Sequence, residues 1–316
     1  MWPPYPDVPR FQYLGQLLGE ENLVTDKQES GRGKRFLTWI AGLQEKAPDV
    51  VKLLRPQSGM VDSDTRRIFV TDVGLNAIMV FDEDGGALDM WHQADNQVPF
   101  AAPIAIVKIA PDEFLVSDAE LGRLVRLSSQ GQPLGSISHV RLIRPSGMVF
   151  DAVEDRIYVA DTAADDIKVF SPQGVLMDVI GEPGVKPGQF NAPTHLALDG
   201  KRMIVSDTFN ARLQLLTVDG DSVGTVGERG LFIGNFVRPK GVAADSDGNI
   251  YAIESFFDHM LVYDGDGQLL LSIGGTGGGI GQFYLPAGIW TDNRDRVFIA
   301  DMHNGRVVVL QYLGST

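Results

Sequence analysis

Cysteine is missing altogether from the 316 residues. Its absence removes disulfides, thiolate metal sites, CxxCH haem attachment and cysteine nucleophiles together. Basic charge is also in short supply, with 27 Lys and Arg against 41 Asp and Glu and a formal charge of −14. Such a chain repels phosphate backbones, so nucleic acid is not an expected partner. Long apolar runs are lacking too. Stretches such as Val307 to Leu310 fall far short of the roughly 20 residues a membrane-crossing helix needs. Residues 1–30 hold no basic segment leading into an apolar one, so no signal peptide is read in the sequence.

What is abundant is turn chemistry: 36 glycines and 17 prolines in a chain that is 44% hydrophobic. That composition suits an all-β protein with an ample core. The stretch Arg144 to Phe190 shows the plan, with apolar runs GMVFD, RIYVAD, IKVF and a weaker GVLMDVIG parted by Asp, Gly and Pro. Runs of this length and alternation are strands of an antiparallel meander. The second run of each unit ends in an acid: Asp72, Asp118, Asp161, Asp207, Glu254 and Asp301, spaced by 46, 43, 46, 47 and 47 residues. A proline opens each first strand, at Pro56, Pro103, Pro145, Pro193, Pro239 and Pro286. Proline in that place costs no ladder hydrogen bond. A period near 45 with about four strands per copy predicts a six-bladed β-propeller of four-stranded antiparallel blades.

The last copy stops at Thr316 without a fourth strand, whereas RFQYLGQLLG (Arg10 to Gly19) resembles the fourth-strand segment GQLLLSIGG. The N-terminus is therefore expected to supply the missing outer strand and close the ring. The predicted organisation is a proline-rich tether over 1–9, then one propeller over 10–316. Within the propeller, 10–19 is the closing strand, 20–53 a helical insertion and 54–316 the repeats. Within the insertion, Phe36, Trp39, Ile40 and Leu43 share one helical face, and Pro48 ends the helix. The tether MWPPYPDVPR favours an extended conformation. Tethers of this kind often follow a removed targeting or anchoring segment. The expected location is extracytoplasmic, periplasmic or cell-surface, if an export signal has been removed, and cytoplasmic otherwise. A membrane tether through a missing N-terminal portion would fit the first case.

The pattern Pro-x-Gly-apolar-x-apolar-Asp followed by apolar-Tyr-Val-x-Asp resembles the NHL repeat. The nearest copies are RPSGMVFDAVEDRIYVADTAADDIKVF and LPAGIWTDNRDRVFIADMHNGRVVVL, with linkers PGQFNAP and IGQFYLP. The resemblance covers about residues 54–313 and implies the six-bladed propeller. It implies less about activity, because the family includes binding scaffolds, a lyase and lactonase-like relatives. The family's lyase carries zinc-binding histidines just after the strand-opening proline. Those positions here are Gln57, Ile104, Ser146, Thr194, Lys240 and Ala287, so that activity is not carried over. Bacterial extracytoplasmic NHL proteins also accompany electron-transfer or envelope complexes, which is a further expectation from the resemblance.

Six-fold recurrence assigns the acids Asp72, Asp118, Asp161, Asp207, Glu254 and Asp301 to the fold, as acceptors for turn amides. His195 replaces a repeat glycine at the start of an inner strand and is the channel candidate. Glu254 replaces an aspartate and precedes Phe256 and Phe257. Those two residues, with Phe209, His303 and Trp39, are the candidates for a binding face. The expected function is a non-enzymatic scaffold presenting this face to another protein, with no catalytic residues and no cofactor. The alternative is a metal-dependent hydrolase or lyase working in the channel with Ca²⁺ or another divalent cation. The metal ligands would then include His195 and some of the acids.

Overall fold

The computed structural model describes residues 1–23, 51–200 and 202–314. The insertion helix expected around Phe36 to Leu43 lies outside them, and Trp39 with it. Six four-stranded antiparallel sheets follow one another, over 56–91, 103–137, 145–180, 193–226, 239–274 and, in the sixth, 289–312 together with Phe11–Leu17. They are blades 1 to 6. Their first strands touch in cyclic order, with that of blade 6 returning to blade 1. The result is a six-bladed β-propeller. Among the described residues helix is limited to short 3₁₀ turns such as Thr208–Asn210 and Met302–Asn304. A small extra hairpin, Gln93–Asp95 with Val98–Pro99, sits in the linker from blade 1 to blade 2.

Ring closure follows the sequence expectation. Phe11–Leu17 pairs antiparallel with Arg306–Tyr312, from Phe11 opposite Tyr312 to Leu17 opposite Val307. Residues 1–10 double back against this strand. The Trp2 amide donates to the Phe11 carbonyl at 2.9 Å, and the Arg10 amide donates to Trp2 at 2.7 Å. The Trp2 ring lies over Gly281, where an added Cβ would meet it at 2.4 Å.

Burial falls outward along each blade. Second strands such as Arg156–Asp161 are buried almost throughout, while fourth strands such as Pro133–Ile137 are largely exposed. Middle strands are covered on both faces by neighbouring blades, so their sequences are continuously apolar instead of alternating. Six apolar clusters fill the wedges between blades. Hydroxyls beside the strand-end acids add ties across the wedges. Thr71 donates to the Ile104 carbonyl at 2.7 Å, Ser117 to Ser146 at 2.5 Å and Thr162 to Pro193 at 2.7 Å.

Candidate interaction face and channel mouth

Because strands alternate in direction, one face of the disc gathers the linkers between blades and the turns joining second to third strands. The other face gathers the remaining hairpin turns. The six recurrent acids stand on the first, linker face and are all buried. Asp72 shows how. It accepts backbone amides from Leu54 (2.7 Å) and Arg55 (3.0 Å) before the first strand, and from Gly74 (2.8 Å) and Leu75 (3.1 Å) after the second. Asp118 repeats this with Ala101, Ala102, Glu120 and Leu121. Asp161 takes the amides of Ile143 and Arg144, both at 2.7 Å. Glu254 reaches Val237, Arg238 and Phe256.

Asp207 and Asp301 use side chains as well. Asp207 accepts from the Asn191 amide and from Asn210, Arg212 and Gln214. Asp301 accepts from the Tyr284 amide and from Asn304 and Arg306. Burial pushes the Asp301 carboxyl above its ordinary range, against the pull of these donors. Five of the six carboxylates thus clasp a linker to a turn, while Asp161 holds the linker amides and lies 3.6 Å from the buried Lys168 ammonium. Among the described residues no group of three or more His, Asp or Glu side chains converges as a metal site would require.

The linkers themselves differ. Three in succession read EPGVKPGQF, ERGLFIGNF and GTGGGIGQF over 182–190, 228–236 and 275–283. Their last phenylalanines, Phe190, Phe236 and Phe283, are all fully buried in the wedges. Each pairs back to the start of its own loop through a parallel bridge. With the scaffold role carried by that phenylalanine, the middle of the loop is free to vary. In the linker from blade 4 to blade 5 it holds Leu231, Phe232 and Ile233, which are 76%, 82% and 69% exposed. Phe209 is 61% exposed beside this loop, tied to it by Arg229 Nη2 donating to the Phe209 carbonyl at 2.5 Å. Phe256 is 53% exposed and meets Phe257 edge to face at 5.0 Å. Leu231, Phe232, Ile233, Phe257, His259 and Leu261 border a hollow of about 140 Å³. His303 lies one blade on, where its ring packs against Tyr284 at 5.3 Å.

The structure therefore brings Phe209, Phe256 and Phe257 around an apolar knob that the sequence reading passed over. The signal was present: three large apolar residues occupy a loop whose counterparts hold Val-Lys-Pro and Gly-Gly-Ile.

His195 lies elsewhere, at the channel mouth. A Cβ on the corresponding glycine of blade 3, Gly147, would stand 2.5 Å from the neighbouring inner strand, at His195 Cα; on Gly241 of blade 5 it would stand 2.6 Å from Ile289 N. The position thus faces the next blade, and a full imidazole occupies it only in blade 4. Both ring nitrogens of His195 are covered and lack hydrogen-bond partners, although the residue keeps some exposed surface. Burial, reinforced by the charge of Lys240, pushes its pKa down to about 3. The imidazole is therefore neutral. Lys240 is itself pushed down by burial and by Arg238.

No family model matches the chain, and no functionally characterised protein matches it in sequence. Solved structures do match it in shape. Virginiamycin B lyase from Staphylococcus aureus, in a catalytically inactive form with quinupristin, superposes with a TM-score of 0.56 at 12% identity, over 82% of this chain and 95% of that one. A luciferin-regenerating enzyme gives 0.63 at 13%, over 83% and 92%. An auxiliary nutrient-binding protein from Bacteroides thetaiotaomicron gives 0.66 at 10%, over 84% and 71%. They share its fold. At such identities enzymes and a binding protein are equally near, so function has to be argued from the site. No helix among the described residues is long and apolar enough to cross a membrane.

Proposed function

We propose that this propeller is a non-enzymatic scaffold that docks another protein on its linker face, at the surface formed by blades 4 and 5. The observation that carries this reading is the Leu231–Phe232–Ile233 knob. Three consecutive large apolar side chains are held out in solvent by a loop whose packing needs are already met by Phe236. Exposed apolar clusters of this kind on a rigid base mark protein contacts. Phe209 and Phe256 extend the cluster, and the hollow beside it is shaped to take an apolar side chain of the partner. The recurrent carboxylates support the same view, since their bonding capacity is consumed in clasping the ring. Membership of a larger extracytoplasmic or electron-transfer complex is the setting in which we place such a scaffold.

The test is isolation of the native complex through a tag on this chain, with mass spectrometry of what accompanies it. A Leu231→Asp, Phe232→Asp double variant should lose the partner while remaining folded. A Val153→Asp control, on an exposed turn of the opposite face, should retain it. Equal retention by both variants would overturn the proposal.

A further inference from the structure

The linkers entering blades 4, 5 and 6 follow one backbone path. In each the closing phenylalanine amide donates to the carbonyl that begins the loop: Phe190 to Glu182, Phe236 to Glu228 and Phe283 to Gly275. The amides of Gln189, Asn235 and Gln282 likewise donate to Lys186, Phe232 and Gly279. Two of the three loops are also braced by side chains of the blade they lead into. In blade 4, Asn210 donates to the Gly184 carbonyl at 2.8 Å, Arg212 to Lys186 at 2.9 Å and Gln189 at 3.0 Å, and Gln214 to Gln189 at 2.7 Å. In blade 6, Asn304 donates to Gly277 at 2.8 Å and Arg306 to Gly278 at 2.8 Å and Gln282 at 2.9 Å. Blade 5 lacks the brace. His259 stands opposite Glu254 where Arg212 stands opposite Asp207 and Arg306 opposite Asp301, and Phe257 and Leu261 hold the places of Asn210 and Gln214.

The hollow of about 140 Å³ lies between these three residues and the Leu231–Phe232–Ile233 loop, in the place of the missing brace. Its walls are apolar, but its edge consists of acceptors. Among the described residues no side chain donates to the carbonyls of Gly230, Phe232 and Asn235, the counterparts of those that Asn210 and Arg212 hold in blade 4. His259 adds another acceptor. Its Nδ1 lies against the Phe257 carbonyl, which can only accept, so Nδ1 carries the proton and Nε2 of the neutral ring is left as an acceptor. An aliphatic side chain would fill the walls and leave these acceptors unmatched. A carboxylate would meet Glu254, which also borders the hollow.

We propose that this hollow receives a tryptophan or tyrosine side chain of the docking partner, whose ring takes the place of the missing brace and whose N–H or O–H donates to the acceptors around it. The inference rests on the docking reading and adds the chemistry of the residue that enters.

The experiment follows the methyl signals of isoleucine-labelled protein by NMR at pH 8, with Ile233 assigned by its loss in Ile233→Val. Indole, p-cresol and toluene are titrated in turn. Saturable movement of the Ile233 signal is expected with indole or p-cresol, with toluene at least fivefold weaker, a comparison that needs no variant. His259→Arg restores the residue of blades 4 and 6, fills the hollow and should abolish the binding without lowering the melting temperature. No saturable shift, equal affinity for toluene, or unchanged binding in folded His259→Arg would overturn the site. In isolation of the native complex, His259→Arg should lose the partner as the Leu231→Asp, Phe232→Asp variant does. Loss in the double variant with full retention in His259→Arg would overturn the hollow and leave the docking face standing. Retention in both would overturn the two together.

Discussion

The two faces of the disc use the same amino acid in opposite ways. On the linker face the recurrent aspartates are buried, and amides or guanidinium groups take up their lone pairs. On the opposite face the turns read DSDTRR, DEDGG, DAVEDR, DSDGN, DGDG and DNRDR, and many of their carboxylates lie in solvent. Several of these acids also cap their own turn. Asp82 accepts from the Asp84 and Gly85 amides, and Asp264 from Asp266 and Gln268. A solvated cap adds little, however, because water would bond the same groups. Much of the exposed negative charge thus stands on the face opposite the apolar knob. The comparison teaches that an acidic protein need not be acidic everywhere it makes contact.

The contrast presumes a closed ring, and the largest expected effect comes from opening it. Deleting residues 1–19 exposes the edge of Arg306–Tyr312 and removes Phe11 from its cluster. Circular dichroism melts should then show loss of the cooperative transition or a fall of many degrees. Unchanged melting would dispose of the closure. Next comes the contrast itself. Asp72→Ala leaves four backbone amides without their acceptor and should cost about 3 kcal/mol in denaturant unfolding. Asp264→Ala, in an exposed turn of the other face, should cost less than about 1 kcal/mol. Equal costs would erase the distinction between the faces.

On the linker face, Phe232→Ala should weaken partner binding by about 2 kcal/mol, roughly 30-fold, if the residue is an anchor. Protein stability should stay within about 0.5 kcal/mol. The smallest effect is titration of the channel mouth. The His195 pKa lies below that of a free histidine, so between pH 6.5 and about 3 the unfolded chain binds the extra proton. The native state keeps its full contribution above pH 6.5 and loses it as the pH falls, by up to about 1.4 kcal/mol per pH unit. Between pH 7 and 5.5 the wild type should therefore lose on the order of 1 kcal/mol more than His195→Gln. A parallel decline in the two proteins would show that this imidazole does not titrate as a buried group.

The architecture was legible because it is written six times. Strand-opening prolines and strand-end acids recur at a nearly fixed interval, and the missing outer strand could be matched to Arg10 to Gly19. The clasp was half legible. A carboxylate followed by a turn points to acceptance from the turn amides, but the amides of Leu54 and Arg55 precede Asp72 by 18 and 17 residues. Only the antiparallel register, with Pro56 opposite Asp72, brings them near. Phe209, Phe256 and Phe257 stood out as aromatics in turns. Leu231, Phe232 and Ile233 were hidden by the regularity of their own linker, which ends in the expected Gly-x-Phe. The covered, unpartnered imidazole of His195 depends on the neighbouring blade, so nothing local in its own strand announces it.

The closing strand also decides when this protein becomes a protein. Phe11–Leu17 leaves the ribosome long before its partner Arg306–Tyr312, with the other blades between them. Throughout synthesis the first strand waits with its backbone unpaired, and five blades are complete before it has an edge to join. Contacts of such sequence separation form slowly and leave strand edges open in the meantime. The bond that makes the finished ring stable is thus the one that makes the unfinished chain vulnerable, and the burden of that interval falls on whatever shields nascent chains in the cell.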